Sequence, residues 1–172
     1  ANPPVPLLTG REIWSILSNR TILLLVVGDT GALLQYTALT TWLPSFYHEV
    51  HGMSLPHAGF ITGLMTFVGI FAVLLGGFGP ARIGARKAFL IVPGIMVVIG
   101  GPGAFLFGNL GGIYASVILL GIGSWLYVPS IFSMPMEMPE MTPEKVAIVW
   151  GFIITFAGLG AFLSPLLVGV LR

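Results

Sequence analysis

Five apolar runs, each of about twenty residues or more, follow one another through this chain with only short breaks between them. A run of that length crosses a hydrocarbon core of roughly 30 Å as one helix. Lipid offers no partners for exposed backbone groups, so a spanning segment must satisfy its own N–H and C=O groups. The polar alternation over about ten residues that marks a membrane barrel is absent, which leaves helices. Composition agrees, with 56% of residues hydrophobic and 8% charged and a mean hydropathy of +1.00. The expected fold is an all-α integral membrane protein, a polytopic bundle of about five transmembrane helices.

Apolar runs, read against Gly, Pro and charge, put the spans at 21–47, 55–78, 88–107, 112–132 and 146–171, one transmembrane bundle over 21–172. Residues 1–20 read as a linker entering the first helix. Ser54 before "LPHAG" and Thr142 before "PEK" each set an N-cap oxygen ahead of a first-turn Pro, whose missing N–H costs nothing there. Pro93, Pro102, Pro129 and Pro165 are expected to kink their helices. Gly59 with Gly63, and Gly160 with Ser164, have the spacing that lets helices approach closely. The start at Ala1 lacks an initiating Met and a signal-peptide pattern, and the end at Arg172 is flush with an apolar run, as in a piece of a longer protein.

Orientation follows the Lys and Arg in short loops. Alternation puts Arg11, Arg20, Arg82, Arg86, Lys87 and Lys145 on one side and only Arg172 on the other. The N-terminus and the basic loop are therefore expected in the cytoplasm of a multi-pass cell-membrane protein. A net charge of +1 gives no reason to expect a nucleic-acid partner. With no cysteine, thiolate chemistry is excluded. The "HEVH" stretch, His48 to His51, is one residue short of a zinc-helix spacing and reads as solvated loop, so no metal is assigned. No P-loop, paired catalytic acids or nucleophile elbow is present, so neither an enzyme nor a cofactor is expected.

Polar residues inside the spans carry the functional signal, because a charge at bilayer depth costs at least about 2.5 kcal/mol and needs a partner or water. Asp29 is the only acid deep in an apolar run, about nine residues and roughly 13 Å into the first span. At 100° per residue Tyr36 and Thr40 fall within about 20° of it, with Thr37 and Thr30 near the same side. Gln35 and Trp42 project away and read as packing or anchoring residues. Asp29 then either lines a water-filled cavity or bonds a neighbouring helix, and the Thr hydroxyls have their own backbone as an alternative partner. In the fourth span Ser124, Trp125 and Tyr127 offer stacking and hydrogen bonds to a small solute. They also lie toward the cytoplasmic end, where Trp and Tyr collect as anchors.

The segment from Gly77 reads G-F-G-P-A-R-I-G-A-R-K. It resembles the G-x-x-x-D-R-x-G-R-[RK] loop of the major facilitator superfamily at Gly77, Arg82, Gly84 and Arg86, with Ala81 in place of the Asp and Ala85 in place of an Arg. The resemblance implies the C-terminal half of a transporter, helices seven to eleven, with "YTALTTWLPSFY" ending helix seven and the stretch from Met136 leading into helix eleven. It implies a fold of twelve helices in two halves, the solute between them near the midplane, and hence a missing N-terminal half as partner beside membrane lipid. It makes helix ten a cavity wall but does not choose the residues on it. It also implies that the basic loop closes the cytoplasmic side against acids of the opposite connection, Glu140 among them. The "TTWLP" ending is similar to that of organic-anion and cyanate-type branches, which implies a small organic anion as one candidate solute.

Two function classes stand. One is secondary active transport of a small solute by alternating access, as part of a twelve-helix protein, with Asp29, Tyr36, Thr37, Thr40, Trp125 and Tyr127 as candidates for solute or coupling-ion binding. The other is a membrane bundle that only scaffolds or assembles. A wet polar face around Asp29 favours the first and a dry, packed Asp29 the second.

Overall fold

The structure, a computed structural model, describes residues 9–83 and 87–171, and the side chains of 9–80 and 87–170. It is all-helical among those residues. A short helix α1 (Gly10–Leu17) leads into four long helices, α2 (Arg20–His51), α3 (Leu55–Ile83), α4 (Ala88–Leu106) and α5 (Leu110–Leu126). Then come α6 (Val128–Ser133), a 3-10 turn at Met134–Glu137, and α7 (Pro143–Leu171). Five stretches are long and apolar enough to cross a membrane, the fourth being Leu110–Glu137 and including α6 and the 3-10 turn. The expected bundle of spans is present, and three of its details differ from the sequence reading.

First, the segment read as linker carries α1. Thr9 and Glu12 form a capping box, in which Glu12 N–H donates to Thr9 Oγ1 at 3.4 Å and Thr9 N–H donates to Glu12 Oε2 at 2.7 Å. Second, α2 runs on through "HEVH" to His51, so that stretch is helix rather than loop. Gly52 ends it in the left-handed region at φ 63°, a conformation glycine adopts without a Cβ clash, and its N–H reaches back to the Tyr47 carbonyl. Third, the fourth span is not one helix. Pro129 has no N–H to give, and the chain breaks at Tyr127, the residue shared by the ends of α5 and α6. The α7 start is as expected, with Lys145 N–H donating to Thr142 Oγ1 at 3.4 Å and Val146 N–H to the Thr142 carbonyl at 3.0 Å.

α5 packs between α3 and α4, and α2 packs between α3 and α7. Where tails and side chains are equally apolar, close packing rather than water exclusion holds helices together, and small residues permit it. A Cβ on Gly121 would stand 2.5 Å from the Met65 carbonyl oxygen of α3, and one on Gly123 2.8 Å from the Pro93 carbonyl of α4. Gly160 meets Thr30 in the same way, and Ser164 Oγ donates to the Leu34 carbonyl at 2.6 Å, so the Gly160 and Ser164 pair does draw α7 onto α2. Gly59 and Gly63 do not act so: nothing stands within 4 Å of a Cβ at either.

Two clusters make the interior. One joins α2, α3 and α5 through Leu43, Tyr47, Ile61, Met65, Val117 and Leu120. The other joins α2, α6 and α7 through Ile22, Leu25, Val26, Ile131, Val149 and Ile153. Along α2 the first begins at Leu39 and the second ends at Val26. The interval between them contains Asp29.

Candidate functional site

Between the two cores a cavity of about 230 Å³ is lined by α2, by the α5–α6 junction and by α7. Asp29 and Tyr36 line it from α2, Ser124, Trp125, Tyr127 and Phe132 from the junction, and small residues such as Ala157 and Gly158 from α7. Asp29 is buried, at 7% exposure. The Tyr127 hydroxyl donates to Asp29 Oδ1 at 2.8 Å. Both groups carry the site because each costs too much to bury alone in an apolar interior. Tyr127 stands at the break between α5 and α6. Trp125 and Tyr127, which by position alone read as interface anchors, thus face the interior of the bundle.

Trp125 is held by its neighbours. Its ring stands edge-on to Tyr36, with centroids 5.2 Å apart and planes at 85°. The other side of the indole rests on Gly69 of α3, where any Cβ would collide with Trp125 Cδ1. The Tyr36 hydroxyl shares a 2.7 Å hydrogen bond with Thr66 Oγ1, which fixes that ring to α3. Sequence reasoning had no route to Thr66 or Phe132, because their relation to Asp29 exists only across helices.

The two threonines are not part of this cavity lining. Thr37 Oγ1 donates to the Leu33 carbonyl at 2.8 Å and Thr40 Oγ1 to the Tyr36 carbonyl at 3.0 Å. A helical threonine with a carbonyl one turn behind it satisfies itself there. Gln35, read as a packing residue, instead takes a long 3.5 Å bond from Ser124 Oγ, and its Nε2 is buried with no partner among the described residues. Trp42 does tie helices together, donating from Nε1 to the Pro165 carbonyl at 3.1 Å.

Of the basic-loop residues, Gly84 and Arg86 lie outside the described residues, as does the Arg82 side chain. Gly77 has open space around it. Glu140 holds a left-handed backbone, φ 62°, and its carbonyl accepts from Lys145 Nζ at 3.1 Å. Each histidine has a separate neighbour: His48 Nδ1 pairs with the Met53 carbonyl at 2.7 Å, His57 Nε2 with the Tyr114 hydroxyl at 3.1 Å, and His51 packs on Phe46 and Tyr47. Two larger clefts, about 560 and 530 Å³, run along α2 beside α4. Their walls are mainly apolar, and neither includes Asp29.

The family model of the Major Facilitator Superfamily matches residues 2–165. The chain belongs to the major facilitator superfamily. This places it among membrane transport proteins rather than enzymes, in agreement with the resemblance carried by the Gly77–Lys87 loop. The chain is similar to the probable nitrate/nitrite antiporter NarK1 of Thermus thermophilus, 26% identical over 154 residues, covering 76% of this chain and 33% of that protein. It is also similar to the uncharacterized transporter YybO of Bacillus subtilis (strain 168), 31% identical over 75 residues, covering 43% of this chain and 17% of that one. It therefore spans a third or less of these relatives. No solved structure gives a significant match.

Proposed function

We propose that this chain is part of a secondary transporter that moves a small solute by alternating access with a companion half, and that the Asp29 cavity is its share of the solute or coupling-ion site. One observation carries the reading: a carboxylate about nine residues into its span, buried, bonded to a tyrosine and bordering a cavity rather than a packed seam. Residues 21–172 form the membrane bundle in this reading, residues 1–20 precede it on the cytoplasmic side, and the basic loop with Glu140 forms a gate there. Asp29, Tyr36, Trp125 and Tyr127 contact the solute or coupling ion, whereas Thr37 and Thr40 support the α2 backbone.

The test is transport by the full-length protein in reconstituted vesicles, using labelled nitrate, acetate and choline as an inorganic anion, an organic anion and an organic cation. Wild-type protein accumulates at least one of them. Asp29→Asn, with insertion verified separately, loses accumulation against a gradient and retains exchange. Accumulation by Asp29→Asn at the wild-type level would leave Asp29 as a link between helices, since Asn keeps a hydrogen bond to Tyr127.

A further inference from the structure

We infer that the Asp29 cavity takes a small organic cation, a protonated amine or a quaternary ammonium, with the carboxylate as counter-charge and aromatic rings as walls. The inference rests on the transport reading for its purpose but not for its chemistry, which is argued from charge and wall composition.

Charge comes first. The chain's Lys and Arg stand at 11, 20, 82, 86, 87, 145 and 172, all at or beyond helix ends. None lies in the spans beside Asp29. An anion entering the cavity would meet a buried carboxylate with no Lys or Arg among the cavity's described lining residues, and like charges in a low-dielectric setting repel strongly. A cation has the opposite experience. Tyr127 occupies Oδ1, and no donor among the described residues is set on Oδ2, so that oxygen has lone pairs to offer. A carboxylate left half-satisfied in an apolar interior gains most from a positive partner.

The walls act in the same direction. Tyr36, Trp125, Tyr127 and Phe132 all line the cavity. Ring faces carry negative electrostatic potential and attract a cation within about 6 Å of the centroid, Trp most strongly. Tyr36 and Trp125 meet at 85° and so form a corner. That corner is rigid, since the Thr66 bond holds Tyr36 and Gly69 backs Trp125. The cavity of about 230 Å³ has room for an ammonium head group.

The experiment compares choline with its neutral carbon isostere, in which carbon replaces the quaternary nitrogen, by calorimetry on the full-length protein in lipid nanodiscs. Choline should bind saturably and the isostere about tenfold more weakly or worse, since shape is kept and charge is lost. Asp29→Asn should weaken choline by about tenfold and leave the isostere unchanged. Asp29→Asn, in which the amide oxygen can still accept from Tyr127, should keep the wild-type thermal-unfolding midpoint, which guards against a folding artefact. Nitrate should not compete. Equal binding of choline and the isostere, choline binding unaffected by Asp29→Asn, or Asp29-dependent nitrate binding would each overturn the inference. Choline flux measured in parallel separates the two proposals. Saturable binding without any flux removes the transport reading and keeps the site, whereas acetate or nitrate flux without choline binding removes the site and keeps transport.

Discussion

At the scale of single residues, the tightest constraint around the cavity is Gly69, because the Trp125 indole occupies the space a side chain would need. Gly69→Ala must displace a ring that is also held edge-on to Tyr36, and overpacking of this kind costs about 1–3 kcal/mol. We expect a lower melting temperature in detergent for Gly69→Ala, partly restored by Trp125→Phe in the same chain. The double-mutant cycle should be non-additive, because the two residues touch; strict additivity would mean that the ring does not rest on Gly69. Asp29 and Tyr36 were legible in the sequence, since a lone acid in an apolar run is conspicuous and helical periodicity puts Tyr36 on its face. The threonines share that face, yet periodicity cannot say whether a hydroxyl points outward or back to its own carbonyl. Trp125 and Tyr127 stood out in the sequence with anchoring as the simpler role; that they line the cavity depends on the break at Tyr127, which hydropathy does not place.

At the scale of elements, the helix spans were readable from hydropathy and their junctions were not. A small-residue spacing identifies a helix face able to pack closely but does not say which neighbour is available, so Gly160 and Ser164 met α2 while Gly59 and Gly63 met nothing described. This yields a paired prediction. Gly121→Val sets side-chain bulk against the α3 backbone and should destabilise by about 1–3 kcal/mol, whereas Gly59→Val should stay within about 0.5 kcal/mol, both read from thermal unfolding. The α1 capping box was legible in "TGRE" but submerged in a segment read as linker. Thr9 donates to Glu12 from its hydroxyl and from its backbone N–H, each at 2.7 Å, and these bonds hold the Glu12 carboxyl below its usual range. A lowered folded value means the contribution is present above the ordinary carboxylate value, about 4.3 for Glu, and disappears as pH falls through the lower one. Hydrogen exchange over 10–17, corrected for intrinsic rates, should show protection at neutral pH that is lost under acid, while Thr9→Ala should lack it throughout.

At the scale of the whole molecule, the exposed surface is as informative as the core. Phe60, Phe67, Phe71 and Phe78 are each more than half exposed on α3, and at 100° per residue all four fall within about 20° of one line. From first to last they cover roughly 27 Å at 1.5 Å per residue, close to a hydrocarbon core of about 30 Å. Water would penalise such a stripe and acyl chains do not, so α3 is set across the bilayer with this side outward to lipid or to an apolar partner. The stripe gives the depth of the span but not its direction, which rests on the basic residues. Six of the seven Lys and Arg fall on one side by alternation, and on the positive-inside rule we propose that side as the cytoplasmic one. Because the chain has no cysteine, single replacements report sidedness without background. Structure refines their choice: Gly52 has a left-handed backbone that disfavours any side chain, whereas Val50 is 64% exposed at the same end of α2, and Ala88 is exposed at the start of α4. In intact cells a membrane-impermeant maleimide should label Val50→Cys and leave Ala88→Cys untouched until the membrane is opened. The reverse pattern would invert the bundle, put the basic loop outside, and remove the cytoplasmic gate assigned to it and Glu140.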